Sequence, residues 1–431
     1  MAFTSSAADQ STTAASEPRW SDVYMSALAK AVSNCGDMLA ATALALVLQT
    51  RGEGGLAVAG IMLAAALPLV VVGPFAGRLA DRVDSRTLLI TVGLAQSAVC
   101  VALAFTRPPG LIIGLVAVLA TGLAITGPTM GALTPLMVGR PNLAKASAIG
   151  QTASTVGMLI APALGGVLVG AFGSRVPLLI DAATYLAIPV AGLVIRTRRG
   201  GRFRTAQAAA NNGTAGSDRH VTFRLRSDAL LWPLFVMIGA VIAAISAVNV
   251  VEVFFIRETL HSSTTIYGIV SATWLGGMVV GALIAARQRR DDVGTARALL
   301  LFNVATCVTI SVAGFVPHVA WLVPLWLVGG VLNASENVAI GVILGSRVLP
   351  EVRGHAGATF NSIAGGANAS GFLLGGVLLT VAGPRTLVVA CGVAGLVAAA
   401  VFSPPLVRAI RRERESAVTT SETEGAVQVA V

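Results

Sequence analysis

Four carboxylates stand where burial is expensive. Of the chain's 20 acidic residues, Asp37, Asp181, Glu252 and Glu336 lie well inside long apolar blocks. An ionised carboxylate in hydrocarbon costs several kcal/mol, so such a group faces a wet cavity, takes up a proton or finds a partner. Asp37 lies about fourteen residues into its block, SNCGDMLAATALALVL, near the middle of a membrane-length segment. A group at that depth can pass a proton between two sides. Glu336 occurs in NASENV, where Asn333, Glu336 and Asn337 share one helical face by their i, i+3, i+4 spacing. Glu252 and Asn249 form a similar i, i+3 pair nearer the outer end of another block. Asp37, Glu336 and Glu252 are therefore the candidates for proton coupling. Asn34, Asn249, Asn333, Asn337, Gln151 and the heptad-spaced pair Asn361 and Asn368 are the candidates for a cavity wall, with Gln96 a weaker one. Asp181, near the start of its block, reads as a structural anchor. The remaining lining would be apolar, which suits a lipophilic or amphipathic ligand.

The elements that hold these groups follow from composition. The 431 residues are 55% hydrophobic and only 12% charged, about half the charge of a soluble chain. A membrane helix takes roughly 20 apolar residues, so twelve would use about 240, close to the whole apolar content. Twelve blocks can be traced, beginning with Val23–Leu48, Leu56–Phe75, Thr87–Phe105, Leu111–Leu136, Ala146–Val169 and Val176–Ile195. The second six are Leu230–Phe255, Tyr267–Ala286, Ala298–Val316, Val319–Leu344, Ala358–Val381 and Thr386–Phe402. The expected organisation is a disordered cytoplasmic N-terminus (1–22) and a six-helix bundle (23–195), then a basic linker (196–228). A second bundle (229–404) and a cytoplasmic tail (405–431) complete it. The polar start lacks a basic region and a cleavage pattern, so no cleaved signal peptide is expected. The four cysteines sit in apolar blocks without CxxC partners and read as packing residues.

The net charge of +10 would suggest nucleic acid in a soluble protein, but here it reports topology. With the N-terminus inside, 24 of the 30 basic residues fall on the cytoplasmic side and five on the other, with Lys30 inside the first block. Both termini are therefore expected in the cytoplasm, and no nucleic-acid partner is expected. The halves also resemble each other. VGPFAGRLADR from Val72 parallels VGALIAARQRR from Val280, and Gly165-Gly166 parallels Gly375-Gly376 at nearly the same offset. Two duplicated bundles with a cavity between them form the architecture of an alternating-access transporter.

Two strings carry a family resemblance. GRLADRVDSR, with Gly77, Asp81, Arg82 and Arg86, resembles the helix 2–3 loop signature of the major facilitator superfamily. Its Asp84 form is similar to the macrolide-efflux and siderophore-exporter branch. A carboxylate at a helix end can pair with Arg or with another helix's N-terminus, so the resemblance implies a conformational latch. GMLIAPALGG, with Gly157, Pro162, Gly165 and Gly166, resembles the helix 5 motif of drug–proton antiporters, with Ala161 in place of one glycine. That resemblance implies export. The buried arginine that many such antiporters carry in helix 4 has no counterpart here.

No GxxxxGK[ST] loop occurs, the four histidines lack metal-ligand spacing, and no catalytic pairing is visible, so neither an enzyme nor a cofactor or metal site is expected. The fold class expected is an all-α polytopic membrane protein of twelve helices in two pseudo-symmetric bundles. The expected function is proton-coupled efflux of a lipophilic or amphipathic small molecule of drug, antibiotic or siderophore type. The expected partners are that substrate, protons and the lipid bilayer, with the protein a monomer. The Ala-, Gly- and Arg-rich, Lys-poor usage (28 Arg, 2 Lys) suggests a high-GC bacterial genome, and the expected location is a bacterial inner membrane. A proton-coupled uptake symporter of the same fold is the main alternative, and a non-transporting sensor or scaffold a lesser one.

Overall fold

The computed structural model describes residues 18–199, 228, 230–285, 287, 291–348 and 353–429. The described chain is helical, without strands. The first six spans are α1 Trp20–Thr50, α2 Gly54–Arg82, α3 Ser85–Phe105, α4 Pro109–Gly139, α5 Pro141–Phe172 and α6 Arg175–Val194. The second six are α7 Leu231–Thr259, α8 Thr264–Ala285, α9 Asp292–Ala313, α10 Val319–Arg347, α11 Arg353–Leu378 and α12 Pro384–Val429. Among the described residues, eleven of these are long and apolar enough to cross a bilayer. The other, α11, has 26 residues but is diluted by Asn, Ser and Gly. Large apolar side chains such as Leu67, Phe75, Leu301 and Phe315 stay exposed, as a lipid-facing surface requires.

Local chemistry sets the helix boundaries. Gly139 takes φ 71°, a left-handed conformation that suits glycine, and Pro141 then opens α5, so a near-continuous helical segment becomes two spans. Asp84 caps α3 by accepting from the Arg86 amide at 3.0 Å, and Asp291 caps α9 by accepting from the Gly294 amide at 3.0 Å. These two caps stand 207 positions apart, in step with the repeat seen in the sequence. Asp228 accepts from the amides of Leu230 (2.9 Å) and Leu231 (2.8 Å) at the start of α7. The last turns of α7, Phe255–Thr259, widen into a π-helix. The final helix runs on through Pro404-Pro405 to Val429, where the sequence reading placed a tail.

Helices α1 and α3 pack on α4, α5 and α6, while α9 and α12 pack with α7 and α10. The two sets meet through α2 against α11 and α5 against α8. We call the end that carries the α2–α3 turn and residues 195–199 the linker face. At the opposite face Gly55 touches Gly376 and Leu379, while Gly166 lies against Gly268 and the Thr264 carbonyl. Helices come that close only where side chains are absent.

Residues 195–199 run back over the first six helices. The Thr197 amide and hydroxyl both donate to Asp22 Oδ2, at 3.1 and 2.8 Å. Ser85 and Arg199 exchange two further bonds, and Arg198 lies 3.8 Å from Asp84. The remainder of the expected linker, 200–227, lies outside the described residues, as do residues 1–17.

Candidate functional site: a cavity between the two halves

A cavity of about 540 Å³ lies between the two sets of helices, walled by α1, α2, α5 and α7–α11. Met38, Ala41, Thr42 and Ala45 present one face of α1 to it. Ile238, Ile242, Ile340, Phe360, Trp274 and Trp326 supply an apolar and aromatic wall. The two tryptophan rings meet edge to face, 6.2 Å between centroids. Five of the expected asparagines line the wall: Asn249, Asn333, Asn337, Asn361 and Asn368. Three of them are held by short local bonds. Asn249 Nδ2 donates to the Ser246 carbonyl (3.1 Å), the Ser246 hydroxyl to Asn368 Oδ1 (2.7 Å), and Asn337 Nδ2 to the Asn333 carbonyl (2.9 Å).

Among the described residues of this wall, Glu252 is the one with an acidic or basic side chain. Its Oε1 accepts from Trp326 Nε1 at 2.9 Å and from the Ser271 hydroxyl at 3.3 Å. One carboxylate thereby joins α7, α8 and α10 at the edge of the cavity, flanked by indole rings. Glu252 stands out in the sequence but its aromatic surroundings do not, because Trp274 and Trp326 look like ordinary core residues in an apolar run.

The other two proton-coupling candidates stand elsewhere. Glu336 turns away from Asn333 and Asn337, is 8% exposed, and accepts from Asn303 Nδ2 of α9 at 2.9 Å. The expected three-residue stripe on α10 is therefore split: the asparagines face the cavity and the acid faces a helix contact. Asp37 is half-buried, and its Oδ1 accepts from the Tyr185 hydroxyl of α6. It lies one turn before Ala41, which does line the cavity. Asp181, read as an anchor, is 1% exposed and lies in the same α1–α3–α6 packing layer.

Three cavity candidates are not among its lining residues. Gln151 belongs to a separate pocket of about 230 Å³ with Lys30, between α1, α4 and α5. Asn34 is half-buried on α1. Gln96 is buried and donates to the Leu119 carbonyl of α4 at 3.2 Å.

The two family-like strings have distinct placements. In the helix 5 string, Gly157 meets the Ala31 carbonyl of α1 and Gly165 meets Leu39 and Thr42. Gly166 crosses to α8, where a side chain on Gly268 would meet the Pro162 carbonyl. In the loop string, Gly77 and Asp81 lie in the last turns of α2, and the surroundings of both are outside what is described. Arg82 is exposed, while Asp84 and Arg86 form the cap of α3. The described contacts of this string thus stay within the first half and reach the start of the linker.

A twelve-helix chain with duplicated halves and a mostly apolar cavity between them defines a membrane transporter of the major facilitator superfamily. Residues 18–429 match the transmembrane secretion effector family, and the chain belongs to it. The chain is 23% identical over 261 residues to macrolide efflux protein A of Enterococcus faecalis, which covers 58% of this chain and 78% of that protein. In fold it is similar to the nucleoside transporter NupG, with TM-score 0.71, 15% identity, and coverage of 89% of this chain and 98% of that one. It is also similar to a peptide transporter solved with sulfate (TM-score 0.68, 16% identity, 91% and 95% covered). A bacterial homologue of the human lysosomal transporter Spinster, solved inward-facing and unoccupied, gives TM-score 0.68 at 14% identity, with 91% and 98% covered. The family and fold are those of membrane transporters, not enzymes.

Proposed function

We propose that this protein exports a lipophilic or amphipathic small molecule by alternating access, driven by proton entry. The observation that carries this reading is the cavity itself: an apolar and aromatic wall, five asparagines and a single carboxylate, set between two repeated halves. Such a surface takes up a ligand with a large apolar body and a few polar groups, and it disfavours an anion beside Glu252. The efflux relative supports export. The linker face is assigned to the cytoplasm of a bacterial inner membrane, because the basic residues gather there. With the opposite-face contacts of Gly55–Gly376 and Gly166–Gly268 closed, the conformation reads as inward-facing.

Asp37 is assigned to proton coupling, since it borders the cavity-facing stripe of α1 and has a hydroxyl partner rather than a cation. Glu252 is assigned to substrate contact, with proton exchange as a second role. Glu336 serves by its bond to Asn303, through the packing of α9 on α10. The loop string acts as a latch on the linker face.

The test uses inside-out vesicles or proteoliposomes with an imposed pH gradient and a panel of amphipathic antibiotics that includes macrolides. Wild type should accumulate drug against its gradient, and Asp37→Asn should bind drug but lose gradient-driven accumulation. Undiminished accumulation by the variant removes Asp37 from coupling. Flux in the opposite sense with protons would favour an uptake symporter instead.

A further inference from the structure

Asp181 does not line the cavity between the halves, yet it is the most deeply buried of the four membrane acids. Its side chain is met by two donors, the Cys100 thiol of α3 at 3.1 Å from Oδ2 and the Thr184 hydroxyl at 3.1 Å from Oδ1. The third polar group of this cluster, the Tyr185 hydroxyl next along α6, donates to Asp37. Gly36 explains how the two carboxylates come together. A Cβ at residue 36 would run into Thr184 Oγ1 and Asp181 Oδ1, so only glycine lets α6 close onto α1 beside Asp37.

Among the described residues, the groups meeting this pair are a thiol and two hydroxyls: Cys100 on α3, and Thr184 and Tyr185 on α6. No described residue forms an ion pair with either carboxylate. The basic residues of the helices packed around them, Arg86, Arg140, Lys145 and Arg175, sit at or near helix ends. Lys30 lines the separate pocket with Gln151, about two turns from Asp37. One buried and one half-buried negative charge, brought close by Gly36 and without a counter-charge, are disfavoured, and neighbouring carboxylates relieve this by taking up one proton for the pair.

We propose that Asp37 and Asp181 form a two-carboxylate proton site inside the first half, in which Asp181 is the inner holder and Asp37, held by the Tyr185 hydroxyl, is the member nearer the cavity edge. This deepens the reading of proton-driven export and rests on it. One proton enters from water at the cavity edge onto the Asp37 carboxylate and is held between it and Asp181. It leaves by the same carboxylate when the access side changes. No bond other than O–H is made or broken. The substrate cavity and the proton site are then neighbours that share α1 and no side chain.

Infrared difference spectra of the purified full-length protein, recorded between acidic and alkaline buffer, test the pairing directly. Wild type should show a protonated-carboxyl band whose position shifts in Asp181→Asn, because the remaining Asp37 loses its partner. Tyr185→Phe should shift the same band, and it keeps the test alive if Asp181→Asn does not fold. In vesicles, Asp181→Asn should lose gradient-driven accumulation and keep substrate binding, and Asp181→Glu should restore part of the accumulation. Bands unmoved by both variants, or full accumulation by Asp181→Asn, overturn the pair. If wild type shows no gradient-driven transport, the export reading fails on its own, while the spectra still decide whether the two carboxylates titrate together.

Discussion

Glu252 shows how one side chain can be both polar and tolerated at an apolar cavity. Its carboxylate takes bonds from the Trp326 indole and the Ser271 hydroxyl, which replace part of its lost hydration. A hydrogen bond to a charged group contributes about 1.5–3 kcal/mol, and the indole supplies the shorter of the two. Trp326→Phe should therefore weaken substrate binding by roughly tenfold while the protein stays folded, as read by equilibrium dialysis. Glu252→Gln should leave neutral amphiphiles bound nearly as well and weaken cationic ones, which a competition series would show. Equal weakening of both classes would mean that Glu252 shapes the wall rather than recognising charge.

At the scale of helices, the glycines of α5 divide their work between neighbours. Gly157 and Gly165 fit α1, and Gly166 fits α8 of the other half. A methyl group at Gly268 would strike the Pro162 carbonyl, so Gly268→Ala should part the two halves at the opposite face. The expected outcome is faster alkylation of a reporter cysteine placed at Thr264, in a background lacking Cys35. The α3 cap makes a separate prediction. Asp84→Ala removes the bond to the Arg86 amide and the neighbouring Arg198, and should cost about 1 kcal/mol. A lowered melting temperature in detergent would register it.

At the scale of the whole molecule, the two halves are bridged at the opposite face by three side chains. Gln49 at the end of α1 donates to Glu258 at 3.0 Å and accepts from Arg257 at 3.3 Å. Arg257 also donates to the Ser262 carbonyl at 2.6 Å. These bonds can exist only while that face is closed, so they should bias the resting conformation without touching substrate. Gln49→Ala should raise accessibility at the opposite face and leave substrate affinity within about twofold, since an exposed pair contributes less than about 1 kcal/mol. A short bifunctional reagent joining cysteines at 49 and 258 should stop transport, and cleaving the reagent should restore it. Continued transport with the cross-link intact would exclude an opening at this face.

How much of this was legible beforehand varies with the kind of signal. The helices were legible because each must supply its own apolar length, and Gly139 with Pro141 marked the break between α4 and α5. The five cavity asparagines and Glu252 were legible because a polar group in an apolar run has few tolerable places to go. Glu336 was misplaced by the same logic: periodicity puts it on a face with Asn333 and Asn337, but Asn303 on α9 offers a bond that turns it inward. The closeness of Asp181 to Asp37 was not legible, because it spans 144 positions and depends on a glycine that looks like any other.

The chain's own order of residues therefore determined the membrane setting, the twelve-span count, the duplicated plan and the short list of candidate acids. Each of these follows from properties a segment carries alone: apolar length, charge at its ends, and a turn residue between spans. Which acids meet each other, and which meet the cavity, was decided only by the packing of α1 on α6 and of α10 on α9. Rotation of a helix about its axis depends on every neighbour it touches, and no single segment encodes that.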